Sequence, residues 1–286
     1  MGEQELEGIN VSGKMTVIAA NASFVGCRNR MQDGKGGALF IQRDFIVSNS
    51  SVKFENCRAS EGGGLYTDGS FSQAEESTVT FENCTAGETQ QDTARPCSDG
   101  GGARVSKNFT QGRNSSASFR SCSASEDGCL YAGGSFSQEA EGTVSFENCT
   151  ASGFSGGGAC VRENFRQGPK SSAIFRDCSS QSGGLGLRVW GLRAPQIPGF
   201  KGDFGVGLQQ LRNMLEPLPA CFGVCRVHQG DGGGLYTGGS FSLEAESSVT
   251  FENCTASGAS VASGSPLGER VGELKASLFR AAGSSG

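Results

Sequence analysis

The chain has 286 residues, among them 46 Gly, 19 Phe and 12 Cys, with a net charge of −5 and a pI of about 5.1. The acidic balance argues against a nucleic-acid surface. The glycine has no G-X-Y period, which excludes collagen, and no run reaches the length of a membrane-spanning apolar helix.

Met1–Glu7 is hydrophilic and acidic, without the basic start and apolar stretch of a secretory signal. The first motif opens midway through a unit, between Gly8 and Phe24, which favours a piece of a longer chain. From Phe24 onward one pattern recurs: a glycine cluster, a Phe, then a second Phe with Cys three residues later. The Phe/Cys pairs are Phe24/Cys27, Phe54/Cys57, Phe81/Cys84, Phe119/Cys122, Phe146/Cys149, Phe175/Cys178 and Phe251/Cys254. Successive Cys stand 30, 27, 38, 27, 29 and 76 residues apart, the 38 holding an insertion around Glu88–Ser98 and the 76 a larger one. The middle Phe recurs as Phe45, Phe71, Phe109, Phe136, Phe165 and Phe241, so 13 of the 19 Phe fall into two columns. Two copies, Gly62–Ala86 and Gly232–Ala256, agree at 20 of 25 positions.

Ser77–Glu82 alternates polar and apolar residues, as does Ser116–Arg120, and this is the period of a half-buried strand. Val79 and Phe81 share one face, Thr80 and Glu82 the other. A unit of such short strands cannot bury a face alone, but stacked copies bury a continuous core. The predicted fold is all-β: a right-handed single-stranded parallel β-helix of about seven coils, equivalent residues lying about 4.8 Å apart. Residues 1–182 supply coils, 183–230 an irregular insertion with a short helix, 231–258 the last coil, and 259–286 a linker and helical tail or cap.

Both Phe columns are expected inside as ring stacks. Strict alternation from Phe81 would put Cys84 outside, but a bend at Asn83 resets the parity. The seven column Cys are therefore expected inside as reduced thiols. A free Cys behaves as a small hydrophobe, and in-register neighbours are close but seldom aligned for bridging. Glycan-acceptor patterns occur at Asn10, Asn21, Asn49, Asn83, Asn108, Asn114, Asn148 and Asn253. Asn83, Asn148 and Asn253 lie at the recurring bend, where Asn tolerates left-handed backbone. Asn49 and Asn114 fit acceptors better, should the chain be secreted.

Residues 183–230 break the pattern and hold the only Trp, Trp190, and the only His, His228. Leu208, Leu211 and Leu215 share a helical face ahead of Pro217. In the tail, Leu267, Val271, Leu274 and Leu278 recur at helical spacing and predict an amphipathic helix over the open end of the stack. Cys221, Cys225 and His228 offer three zinc ligands where a structural site wants four. A catalytic triad would have to use that one His in an irregular segment. No metal, cofactor or catalytic residue is assigned.

Three outward columns remain. Asp99, Asp127 and Asp231 each precede a glycine cluster, with Glu61 and Lys35 interrupting the column, and turn formation accounts for these Asp. Between inward positions such as Leu65 and Thr67 runs a second column, Phe40, Tyr66, Arg104, Tyr131, Cys160 and Tyr236, which holds all three Tyr. Period 2 turns it outward, and an aromatic strip suits stacking on sugars or on a protein partner. After the third-strand Phe, the outward residue reads Glu55, Glu82, Arg120, Glu147 and Arg176. From Glu82 the signs alternate, so neighbours attract, and Glu55 above Glu82 is the one expected repulsion.

Gly36-Gly37-Ala38-Leu39, and more loosely Gly101–Arg104 and Gly157–Cys160, pair with the Phe-x-x-Cys signal. Together they resemble the repeat of chlamydial-type polymorphic outer membrane proteins over residues 8–185 and 230–258. Cys stands where that repeat has Asn, with Asn one place earlier at Asn56, Asn83, Asn148 and Asn253. The resemblance implies an adhesin-like β-helix of the pectin-lyase-like type, placed at a cell surface, in an outer membrane or outside the cell. It also implies a secretion signal and a C-terminal membrane barrel, neither of which is visible in this sequence. The expected function is non-catalytic binding of a glycan or cell-surface protein. The alternatives are a β-helical polysaccharide lyase or glycoside hydrolase, which would need clustered carboxylates, and a fragment without independent activity.

Overall fold

The computed structural model describes residues 6–31, 34–87, 100–153, 156–180, 187–189, 223–227, 234–237, 239–256 and 273–276. These residues are all strand, turn or bend, with no helix among them. Each unit contributes four short strands, as in Leu65–Thr67, Phe71–Gln73, Thr78–Glu82 and Thr85–Ala86. The four enter four different sheets, visited in the same order by every unit, and the sheets hold eight, seven, seven and ten strands. Pairing between units is parallel and in register: Leu65 lies against Leu39 and Ala103, and Phe81 against Phe54 and Phe119. This is a β-helix-like stack of repeats.

Two bends per unit make the corners sharp. The residue before each column Cys has a positive φ: Gly26, Asn56, Asn83, Ser121, Asn148, Asp177 and Asn253, at 51–66°. A second bend, between the second and third strands, does the same at Ala19, Asn49, Glu76, Asn114, Glu141, Lys170 and Glu246. Left-handed backbone costs little for Asn and Gly and more for the others. Asn49 and Asn114 are thus corner residues like Asn83. All eight Asn of the acceptor patterns are solvent-exposed.

The first bend is what turns Cys inward. Cys57, Cys84, Cys122, Cys149, Cys178 and Cys254 are buried beside the Phe stack, and Cys27 nearly so. In the third sheet Phe24, Phe54, Phe81, Phe119, Phe146, Phe175 and Phe251 stack with centroids 4.7–5.1 Å apart and planes within 15°. In the second sheet Phe45, Phe71, Phe109, Phe136, Phe165 and Phe241 form a parallel column, with one edge-to-face pair, Phe71–Phe109. Against the first stack lie small residues, Ala38, Gly64, Gly102, Gly158 and Gly234. A Cβ added at any of these four glycines would sit 2.7–3.1 Å from a Phe ring carbon. Cys129 occupies the same column and forms a disulfide with Cys149, their Cα atoms 5.6 Å apart. The thiol column is therefore interrupted at Cys149, while Cys27, Cys57, Cys84, Cys122, Cys178 and Cys254 remain thiols.

A buried polar column runs beside the second stack. Gln73, Gln111, Gln138 and Gln167 are at most 3 % exposed. The Gln73, Gln111 and Gln138 amides donate to the carbonyls of Ser116, Thr143 and Ser172 in the following unit, at 2.7, 2.6 and 3.1 Å. Each such bond offsets the cost of burying the amide and ties one unit to the next.

The segment 183–230 contributes two strands, Leu187–Val189 and Gly223–Val227. They add to the first and fourth sheets outside the unit that follows them in sequence: Leu187–Val189 pairs with Leu235–Thr237, and Gly223–Val227 with Cys254–Ala256. The last coil in sequence is thus not the last layer in space. The tail differs from expectation at Leu274, which lies in a strand, Glu273–Ala276, antiparallel to Gly223–Val227. Leu208, Leu211, Leu215, Leu267, Val271 and Leu278 lie outside the described residues.

Candidate functional site

The outward column of the first sheet concentrates aromatic and charged side chains. Phe40, Tyr66, Arg104, Tyr131, Cys160 and Tyr236 follow one another in register. They do not form a surface strip. Tyr66 is 3 % exposed, Tyr131 8 % and Cys160 is fully buried, while Phe40, Arg104 and Tyr236 are half-buried. Period 2 places the column on the outer side of the sheet, but Lys35, from the corner that precedes it, and Arg104, from the column itself, lie against its rings.

Those side chains alternate with the rings. Lys35 Nζ sits 5.4 Å from the Phe40 centroid and 4.6 Å from that of Tyr66. The Arg104 guanidinium lies between Tyr66 and Tyr131, 4.8 and 5.5 Å from their centroids. Arg104 also donates to the Tyr66 hydroxyl at 2.7 Å and pairs with the Glu61 carboxylate. Cations over tyrosine faces gain from the ring quadrupole, and more so when partly desolvated, as here. Lys35 reaches Asp68 at 3.8 Å. Burial pushes the Tyr131 phenol above its ordinary range, against the opposing pull of the Arg162 guanidinium.

The carboxylates of the neighbouring column are likewise withdrawn from solvent. Glu61 is held by Arg104, and Asp127 is fully buried. Asp99 and Asp231 lie outside the described residues, as do Cys221 and His228, while Cys225 lies in the strand Gly223–Val227. Among the described residues no three His, Cys, Asp or Glu side chains converge as a metal site. No helix among them is long and apolar enough to cross a membrane.

The outer face of the third sheet is different: polar, and partly to fully exposed. Its five-residue strands present three outward ranks. The first carries hydroxyls without a break over six units, at Ser51, Thr78, Ser116, Thr143, Ser172 and Ser248. The second carries Thr80, Ser118, Ser145 and Thr250, interrupted by Lys53 and Ile174, and the Ser145 hydroxyl donates to that of Ser118 at 3.3 Å. The third is an ion ladder. Arg120 lies 4.0 Å from Glu82 and 3.3 Å from Glu147; Arg176 lies 3.2 Å from Glu147 and 2.6 Å from Glu252. The expected repulsion of Glu55 and Glu82 is relieved from the rank beside it, because Lys53 reaches both, at 2.7 and 3.2 Å. Hydrogen bonds to those two carboxylates hold the Lys53 ammonium above its ordinary range, and the Glu252 contact does the same for Arg176.

The sequence reading missed the Gln column and the Cys129 pairing. Both had a signal: Gln stands two residues after the inward Phe in four units, and Cys129 is the one bulky residue in a Gly/Ala column. Comparison of the chain with family models, with curated proteins and with solved structures finds no match.

Proposed function

We propose that the chain is a right-handed parallel β-helix of about seven coils that works as a non-catalytic, adhesin-like binding module at a cell surface. The observation that carries the reading is the outer face of the third sheet, where ranks of hydroxyls stand in register on a rigid backbone. A hydroxyl both donates and accepts, so such a face meets an extended, hydroxyl-rich partner at many points. Many weak contacts held in fixed geometry add up to useful avidity. A glycan of a cell surface, free or carried on a protein, has that chemistry. The resemblance to polymorphic outer membrane protein repeats supports the same class of function. Tyr66 and Tyr131 take no part in it, because their rings are buried and already engaged by Lys35 and Arg104.

The test is binding to a glycan and cell-surface array by the unsubstituted chain and by Ser118→Arg with Ser145→Arg. Both positions are outward, so the fold tolerates the change, and circular dichroism should be unaltered. Loss of binding in the variant supports the proposal. A parent chain that binds nothing on the array, or a variant that binds as well as the parent, refutes it.

A further inference from the structure

Eight of the 12 Asn stand in glycan-acceptor patterns, Asn-X-Ser or Asn-X-Thr. Five of them flank the third sheet at its two corners. Asn49 and Asn114 stand at the bend that leads into the strands Ser51–Glu55 and Ser116–Arg120. Asn83, Asn148 and Asn253 stand at the bend that follows Thr78–Glu82, Thr143–Glu147 and Ser248–Glu252. All five have left-handed backbone, with φ of 45–53°, and all five are exposed. Asn suits such a bend in part because its carboxamide bonds locally. None of these five side chains hydrogen-bonds to any described residue. Asn108 shows the contrast, since its Oδ1 accepts from the Ser135 amide at 2.9 Å. Gly26, Ser121 and Asp177 make the same bend without Asn. The fold thus uses the backbone of the five Asn and leaves their Nδ2 atoms facing water.

The five are also spaced along the stack. With Asn21–Val25 as the first layer of the third sheet, Asn49 and Asn114 belong to the second and fourth, and Asn83, Asn148 and Asn253 to the third, fifth and seventh. At neither corner do two of them occupy consecutive layers. Acceptors in one column are therefore at least about 9.6 Å apart, twice the strand spacing. Consecutive layers would set them one spacing apart, about 4.8 Å, too close for two sugar rings side by side. Asn56 lies in the layer next to Asn83 in the same column, and there Arg58 replaces the hydroxyl that the pattern needs. The Cys129–Cys149 disulfide is a separate observation. Such bonds belong to oxidising compartments, and glycosylation of Asn takes place in one of them. We propose that Asn49, Asn83, Asn114, Asn148 and Asn253 carry N-linked glycans, in two rows that border the hydroxyl face. In the transfer, Nδ2 bonds to C1 of an activated oligosaccharide and the C1–O bond to its diphosphate carrier breaks. The diphosphate leaves, and one amide proton passes to a base of the transferase. Transfer precedes folding, so the buried middle residue of each pattern, Ser50, Cys84, Ser115, Cys149 or Cys254, is no obstacle. The proposal does not depend on what the face binds.

The experiment is peptide mapping of the chain isolated from its own cells, before and after an amidase that releases N-linked glycans and converts each carrier Asn to Asp. The expected result is glycan-bearing peptides at the five positions, with conversion there after release. Unmodified Asn at these positions overturns the proposal, and so does conversion confined to Asn10, Asn21 or Asn108. Thr85→Ala, Thr150→Ala and Ser116→Ala each remove an acceptor pattern and leave the Asn of the bend in place. Expressed in the same cells, each variant should lose one glycan, read as a step in gel mobility that disappears after release, with circular dichroism unchanged. Variants that keep the full glycan load overturn the assignment. Should a variant fail to fold, the map of the unsubstituted chain decides.

Discussion

Reversing one charge in the ion ladder interrogates the register on which the fold rests. Arg120→Glu removes two attractions, to Glu82 and Glu147, and makes a run of like charges from Glu55 to Glu147. Each lost pair is worth about 0.2–1 kcal/mol at an exposed site, and each new repulsion is of similar size. The Arg120 side chain is half exposed, which favours the lower part of that range and gives a total of about 1–2 kcal/mol at low ionic strength. Salt separates this from a packing effect. Raising ionic strength from 0.01 to 1 M shortens the Debye length from about 30 to about 3 Å, less than the Arg120–Glu82 distance. The assay is urea unfolding at both salt concentrations, since urea adds no ions. Arg120→Gln, which loses the attractions without adding repulsion, should show about half the low-salt loss. An Arg120→Glu loss that is equal at low and high salt would refute the electrostatic reasoning.

Two further predictions concern the interior. Phe146→Ala should cost about 3–5 kcal/mol, because Phe146 is fully buried between Phe119 and Phe175 at 4.9 and 4.7 Å; a loss under about 1 kcal/mol in urea unfolding would contradict the stack. Burial pushes the Cys27 thiol up to about 11 from an ordinary 9.0, so the folded state favours its protonated form. That contribution is whole below about pH 9 and is lost as pH rises through about 11, with Cys57 and Cys84, raised by hydrogen bonds to Cys84 and Cys122, extending the decline upward. Stability measured across this window should fall, and Cys27→Ala should flatten its first part; an unchanged pH slope in that variant argues against the assignment.

Much of the fold was legible because the repeat supplies its own alignment. A Phe that returns at the same place in every unit marks an inward column, and period 2 assigns its neighbours. The Cys column needed one more inference, the parity reset at Asn83, and the positive φ there is its physical basis. Tyr66 and Tyr131 show where pattern stops. Alternation says which side of a sheet a residue takes, not what packs on that side, and the cations on the Tyr66 ring, Lys35 and Arg104, come from the units before and after it. The Cys129–Cys149 bond was hidden for a related reason, since Cys129 belongs to the glycine column and not to the Cys column. Leu274 was ambiguous by its letters: Glu273-Leu-Lys-Ala276 alternates as well as it fits a helical face, and pairing with Gly223–Val227 decides in favour of strand.

The placement of Leu187–Val189 and Gly223–Val227 bears on how the molecule is made. A ribosome delivers repeats in order, and a simple stack can zip up behind the exit tunnel, each coil templating the next. Here that vectorial scheme fails at one point. Leu187–Val189 leaves the tunnel before Leu235–Thr237, yet its seat is the far edge of Leu235–Thr237. At that end of the first sheet the edge on offer at that moment is Ala159–Val161, which belongs to the later strand. The strands Leu187–Val189 and Gly223–Val227 reach these seats only once Leu235–Thr237 and Cys254–Ala256 have been synthesised. Assembly of the last layers is consequently post-translational in character, and a nascent chain arrested before Gly234 would present a competing strand to an edge that it must later vacate.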